Sequence, residues 1–303
     1  MKITDYLIEN FEKKLEVYFS STEPNGWKNK YDTKNVCHDE PWITLVACYS
    51  IFGDQKNISA ETIEALNRLL CSDIGKSIEF SRIEHGGIKV EKQLSEITSY
   101  REKMKKDSFH LYPDIIDKIE IKKAQKNASF EGNTNVDLII KGKNKEENNI
   151  VCFVEAKFLS DISFQTTYNP VRDQILRNID CLIDYVRDKD NAVAFKNAYF
   201  FLLTPEVFKT EYFGCRKPIL KNSFGAEYSR LYCYKMEEYK DWRKLKQALP
   251  HRKFDDKDWK TIADNIGWIS YENFYEQSKE FSIIKKEEEG MIEQFFKERN
   301  LVF

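Results

Sequence analysis

The stretch Ile150–Phe158, IVCFVEAKF, decides the fold. Seven of its nine residues are apolar, and it follows a strongly polar segment, so it reads as an apolar β-strand. Glu155 and Lys157 interrupt it near its end. Side chains two apart on a strand share a face, so these two charges point the same way and Ala156 points opposite. A charge inside an apolar strand is costly unless it is paired or bound to a metal. Immediately upstream, Lys141–Asn149 (KGKNKEENN) reads as a hairpin turn, and Val136–Ile140 (VDLII) reads as the partner strand. Asp137 interrupts that strand in the same manner. The hairpin therefore brings Asp137, Glu155 and Lys157 to one end of a sheet. Two carboxylates and an ammonium converge there, and hard oxygen donors of this kind suit Mg²⁺.

Downstream, Asn169 offers an N-cap with Pro170 at the first helical position. The helix that follows carries an apolar stripe at Val171, Ile175, Ile179, Leu182 and Val186. Ala198–Thr204 (AYFFLLT) reads as a strand buried on both faces and stopped by Pro205. Upstream, Ile119 and Ile121 alternate with charged neighbours, a helix is expected over 90–105, and Gly86-Gly87 marks a loop before it. The order of helix, strands, helix and strand predicts a mixed α/β sheet sandwiched by helices.

The flanks read as mainly helical. Helices are expected over Asp5–Phe19, over the almost wholly apolar Pro41–Phe52, and after a Ser59 cap with Ile63, Leu66, Leu69 and Leu70 inward. Beyond Pro205 the pattern predicts a strand near Leu231–Tyr234. Helices follow near Tyr239–Ala248, Asp255–Asn265 and Tyr271–Lys279, with a charged last helix from about Ile283. In that helix Ile292, Phe295 and Phe296 fall at helical spacing and are expected to dock on the protein's own core. Three regions result: a helical N-terminal region over 1–78, a core over 79–205, and an α-rich extension over 206–303 packed on that core.

The chain has 303 residues, 41% hydrophobic and 14% aromatic, enough to fill a core and to exclude intrinsic disorder. Lys and Arg number 48 against 50 Asp and Glu, a net charge of −2, so no global basic field marks a nucleic-acid partner. The seven cysteines include no CxxC pair, and Cys48, Cys152 and Cys181 sit in apolar runs as free thiols. A signal peptide and a membrane span are not expected, which fits a reducing cytoplasm. His38, His85, His110 and His251 lack ligand spacing and receive no role. The basic stretches Arg216-Lys217…Lys221 and His251-Arg252-Lys253 read as solvated surface, with phosphate contact as the alternative.

Asp137, the hairpin, Glu155-Ala156-Lys157 and then a helix carrying Gln174 in RDQILRNID together resemble the signature of the PD-(D/E)XK, or restriction-endonuclease-like, nuclease superfamily. The resemblance covers roughly residues 91–205. The proline that names the motif is absent, since Asn135 and Val136 precede Asp137. The resemblance implies a restriction-endonuclease-like core and a metal-dependent endonuclease that hydrolyses phosphodiester bonds, with DNA favoured over RNA. Asp137, Glu155 and the Ala156 carbonyl would hold Mg²⁺, for which Mn²⁺ substitutes. Lys157 would position water or neutralise developing charge, and Gln174 would bond near it. A further Glu from the helix before the sheet is implied: Glu91 is preferred, with Glu96 and Glu131 as competitors. Restriction or antiphage defence under partner control fits the weak net charge, and a protein partner or homo-oligomer would then supply the missing basic surface. The competing expectations are a structural ion pair at a sheet end, and a non-catalytic nuclease-fold module for nucleic-acid binding or complex assembly. For Gln174 the competing reading is a polar residue at the edge of a buried helix face.

Overall fold

The computed structural model describes residues 40–53, 58–74, 78–93, 135–158, 162, 173–187, 193–213, 220–221, 227–228, 231–298 and 301. The expected helix over 5–19, the Ile119/Ile121 alternation, the Asn169-Pro170 cap, and Glu96 and Glu131 lie outside these residues.

The architecture is a five-stranded mixed sheet flanked by helices, in the order β1-β2-β3-β4-β7. Strands β1 (Arg82–Gln93), β2 (Asn135–Lys143) and β3 (Asn149–Ala156) form an antiparallel meander. The turn between β2 and β3 is the polar segment expected there. Asn144 accepts from the backbone N–H groups of Glu146 and Asn148, and Glu147 takes a left-handed φ of 62°. Helix α3 (Gln174–Arg187) then leads to β4 (Ala198–Thr204), which runs parallel to β3. All seven residues of β4 are buried, as its unbroken apolar run requires.

Helices α1 (Glu40–Phe52) and α2 (Ala60–Ile74) precede the sheet. Ser59 caps α2 by accepting from Thr62 N–H. Beyond β4 come α4 (Glu206–Phe213), the short β5 (Leu220–Lys221) and β6 (Glu227–Tyr228), and α5 (Leu231–Lys240). They are followed by α6 (Trp242–Ala248), α7 (Asp256–Asp264), β7 (Ile266–Ser270), α8 (Tyr271–Glu280) and α9 (Lys286–Lys297). Among the described residues no helix is long and apolar enough to cross a membrane.

Alternation along the strands divides the interior into two layers. Leu138, Ile140, Cys152, Val154, Phe201 and Leu203 face α1, α2, α8 and α9, with Ile292, Phe295 and Phe296 of the last helix docked there. Ile139, Val151, Phe153, Phe200 and Leu202 face α3, α5 and α7. Helix α1 is apolar all round because it is enclosed between the sheet and the C-terminal helices. Cys48, Cys152, Cys181 and Cys233 are buried free thiols.

Three expectations are corrected. The segment 90–93 is strand and not helix. Gly86, at φ 64°, absorbs a β-bulge between Ile83 and Ile88, so the chain continues as β1 where a loop was expected. The segment Leu231–Tyr234 is helix and not strand. Its Tyr-Cys-Tyr run looks β-prone, but the buried positions Tyr232, Cys233, Met236 and Tyr239 follow the helical period. The stretch His251-Arg252-Lys253 is not solvated as a unit, because the side chains of His251 and Arg252 are enclosed. Arg252 Nε donates to Asp180 Oδ1 at 2.6 Å and Nη1 to Asp184 Oδ1 at 3.0 Å, while His251 Nε2 lies 2.9 Å from Asp180 Oδ2. This loop therefore clamps α3 from outside the sheet.

The fifth strand, Ile266–Ser270, was not foreseen. It pairs parallel to β4 and is wholly buried. Gly267 lets the strand close on its neighbours: a Cβ there would lie 2.3 Å from the Phe201 ring and 2.9 Å from Ile74 Cγ2. Gly267→Val is expected to destabilise the fold by about 1–3 kcal/mol through overpacking, read as a lower denaturant midpoint.

Glu272 ties the start of α8 to α4 by accepting from the Glu206 N–H at 2.9 Å. Burial pushes its carboxyl from 4.5 to about 7. The folded state then binds this proton more tightly than the unfolded chain. The stability gained is full below about pH 4.5 and is lost as pH rises through about 7. In Glu272→Gln this contribution is absent. Its stability relative to wild type should rise by on the order of 1–3 kcal/mol across that window, measured by urea unfolding at several pH values.

Candidate active site

The sheet's polar end is assembled by four elements and the residue that follows one of them. Strand β2 supplies Asp137, β3 supplies Glu155, and the residue after β3 is Lys157. Helix α1 begins with Glu40, and α3 carries Asn178.

Antiparallel pairing of β2 with β3 sets Leu138 opposite Val154, which brings Asp137 level with the end of β3. Asp137 Oδ2 accepts from the Ala156 N–H at 2.7 Å. Glu155 is fully buried and Lys157 is 5% exposed. Lys157 Nζ lies 2.8 Å from Glu155 Oε1, an ion pair whose alignment falls short of a hydrogen bond. The same ammonium donates to the Ala156 carbonyl at 2.8 Å and to Glu40 Oε1 at 3.1 Å. The other Glu40 oxygen accepts from the Phe158 N–H at 3.0 Å, closing the first turn of α1 over the end of β3. Tyr271 of α8 stands behind this turn, its hydroxyl 3.4 Å from Thr44 Oγ1, and Thr44 donates to the Glu40 carbonyl.

The electrostatics follow from three carboxylates sharing one ammonium. Burial, reinforced by Asp137, pushes the Glu155 carboxyl from 4.5 up to about 8, although Lys157 pulls it down. Burial alone would lower the Lys157 ammonium, but Glu155, Asp137 and Glu40 outweigh it and hold it above its ordinary range. Burial likewise raises the Tyr271 phenol, with Glu40 adding to the effect.

Such a cluster is short of positive charge. Mg²⁺ takes one or two protein carboxylates and keeps several waters, and Asp137, Glu155 and the Ala156 carbonyl are donors of that chemistry. The donor types and the charge deficit fit a hard divalent ion. The side chains themselves converge on Lys157. Among the described residues no group of three or more His, Cys, Asp or Glu is gathered as a ready-made metal site.

The structure thus brings Asp137, Glu155 and Lys157 together, with the Ala156 carbonyl beside them. Gln174 is the first residue of α3 and half-buried, and it makes no hydrogen bond to Glu155 or Lys157. Glu91 lies on an edge strand and not on a helix. Lys92 opposes Val136 and Val90 opposes Leu138, which sets the Glu91 backbone level with Asp137.

Two residues of the cluster were not foreseen. Glu40 opens a largely apolar helix whose sequence points only to packing. Asn178 lies one turn beyond Gln174 within a helix face otherwise read for its apolar stripe. Asp173, which accepts from Leu176 N–H and from the Tyr239 hydroxyl, fixes where that helix begins.

No protein-family model, curated protein or solved structure matches the chain.

Proposed function

We propose that this chain is a Mg²⁺-dependent nuclease of the PD-(D/E)XK type, acting on DNA in preference to RNA. The observation that supports it is the pairing of Glu155 and Glu40 with the Lys157 ammonium at the end of β3, with Asp137 held beside them by the Ala156 N–H. In this reading Asp137, Glu155 and the Ala156 carbonyl would hold the ion, whose chemistry when bound would be to polarise the phosphate and lower the pKa of water. Asp137 is oriented by the Ala156 N–H, and Glu155 is fixed between Lys157 and Asn178. Lys157 holds the attacking water or offsets negative charge growing on the phosphate oxygens. Burial of Glu155 and Lys157 strengthens these interactions relative to water. A net charge of −2 gives weak long-range steering toward DNA, so a partner subunit or second copy supplies the basic surface in this account.

The test is cleavage. Purified protein is incubated with plasmid, single-stranded DNA and RNA in Mg²⁺ or Mn²⁺, alongside Asp137→Ala. The expected result is metal-dependent cleavage, strongest on DNA and absent from the variant. Intact substrates throughout, with the protein alone and as its isolated native complex, would contradict the assignment. One observation favours a second reading, a non-catalytic module of the same fold: Lys157 Nζ already contacts Glu155, Glu40 and the Ala156 carbonyl, as a structural ion pair would. That reading expects nucleic-acid binding without cleavage in wild type.

A further inference from the structure

Asn178 is fully enclosed, on a stretch of α3 whose neighbours Ile175, Ile179 and Leu182 are buried apolar residues. Its Nδ2 donates to Glu155 Oε2 at 2.5 Å. Its Oδ1 is buried without a hydrogen-bond partner. An enclosed amide with an unmet acceptor costs stability compared with an apolar side chain of the same shape. The contact that offsets this cost is the one to Glu155. With Oε2 held from the helix and the backbone of β3 fixed by its ladder to β4, the direction of Oε1 is determined. It faces Lys157 Nζ at 2.8 Å, and Asp137, level with Glu155 across the β2–β3 ladder, accepts from the Ala156 N–H.

We propose that Asn178 is a positioning residue of the metal centre: it holds one oxygen of Glu155 so that the other is presented to a divalent cation shared with Asp137. The role rests on the metal-centre reading of the site. It belongs to Asn178 and not to Gln174, because Asn178 is the residue of α3 whose side chain reaches the carboxylate. A donor behind a ligating carboxylate typically governs metal affinity by about 10–100-fold.

The test uses the full chain and reads Mn²⁺ binding by electron paramagnetic resonance, with thermal unfolding measured in parallel. Wild type, Glu155→Gln, Asn178→Ala and Asn178→Leu are compared. The expected result is Mn²⁺ binding by wild type, loss in Glu155→Gln, and affinity weakened by about 10–100-fold in both Asn178 variants. Asn178→Leu leaves no hole and removes the unmet acceptor but strips Glu155 Oε2 of its donor, so a modest fall in unfolding temperature with a cooperative transition is expected. If that variant fails to fold, Asn178→Ala carries the comparison. Wild-type affinity in the Asn178 variants, with binding lost in Glu155→Gln, would overturn the positioning role and leave the metal centre standing. Weak binding in the alanine variant alone would assign the effect to a cavity and also overturn it. A wild type that binds no Mn²⁺ would overturn both.

Discussion

Lys157→Ala is expected to lower metal-dependent cleavage by at least about 100-fold and stability by about 3 kcal/mol. The two losses have different origins. Removing the ammonium takes away the cation that contacts Glu155, Glu40 and the Ala156 carbonyl. Breaking a buried pair by deleting one partner costs about 3–5 kcal/mol when the remaining charge stays ionised. Glu155, already raised to about 8, would take up a proton instead, which places the loss at the low end of that range. A double variant separates the effects. Lys157→Ala with Glu155→Gln removes both charges, so it should recover most of the stability, read by chemical denaturation, and none of the cleavage. Recovery of cleavage would show that Lys157 serves only to balance Glu155.

Arg252→Met is expected to cost about 3–5 kcal/mol of stability while sparing the chemistry. Arg252 is buried and joins Asp180 and Asp184 of α3 through three donors, including Nη2 to the Asp180 carbonyl at 3.2 Å. Burial alone would lower its pKa, but Asp180 and Asp184 raise it above the ordinary arginine value, so the guanidinium stays charged. Without it, Asp180 and Asp184 lose their guanidinium donors, and the enclosed Asp180 carboxylate, which keeps its contact to His251, is less well compensated. The cluster is enclosed like the Lys157 site, but it gathers two carboxylates of α3 and not the carboxylates at the end of β3. Cleavage per folded molecule, measured well below the unfolding temperature, should therefore stay near wild type. A large loss there would mean that clamping α3 sets the placement of Asn178.

Much of the sheet was legible because its signals are local. The hairpin announces itself through a polar turn between two apolar runs, and β4 through seven buried residues ended by Pro205. The stripe Ile175, Ile179, Leu182 and Val186 marks the buried face of α3. The misreadings came where two signals compete. The glycine pair at 86–87 is a loop signal by composition, yet one positive φ turns it into a bulge and carries β1 on through Glu91. Leu231–Tyr234 has aromatic residues that favour strands, and only the later Met236 and Tyr239 reveal the helical period. Strand β7 is five residues between two helices, and its place beside β4 is a tertiary fact that Gly267 records only through the Phe201 ring.

The candidate site divides along the same line. Asp137, Glu155 and Lys157 stand out because each breaks an apolar strand, an anomaly visible within nine residues. Glu40 reaches Lys157 from 117 positions away, and no local pattern distinguishes it from a surface acid at a helix start. Asn178 is polar at a buried helical position, which was a usable signal, but the nearby Gln174 drew the assignment. Gln174 sits one turn too early to meet Glu155.

The most direct measurement is a crystal structure of the chain soaked in Mn²⁺, with anomalous scattering recorded at the manganese edge. The result expected is a peak between Asp137 and Glu155 beside the Ala156 carbonyl, with Asn178 still on Glu155 Oε2. A Mn²⁺-soaked crystal with no peak at this end of the sheet, and with Lys157 still closed on Glu155 and Glu40, would contradict the central claim that these carboxylates hold a catalytic cation.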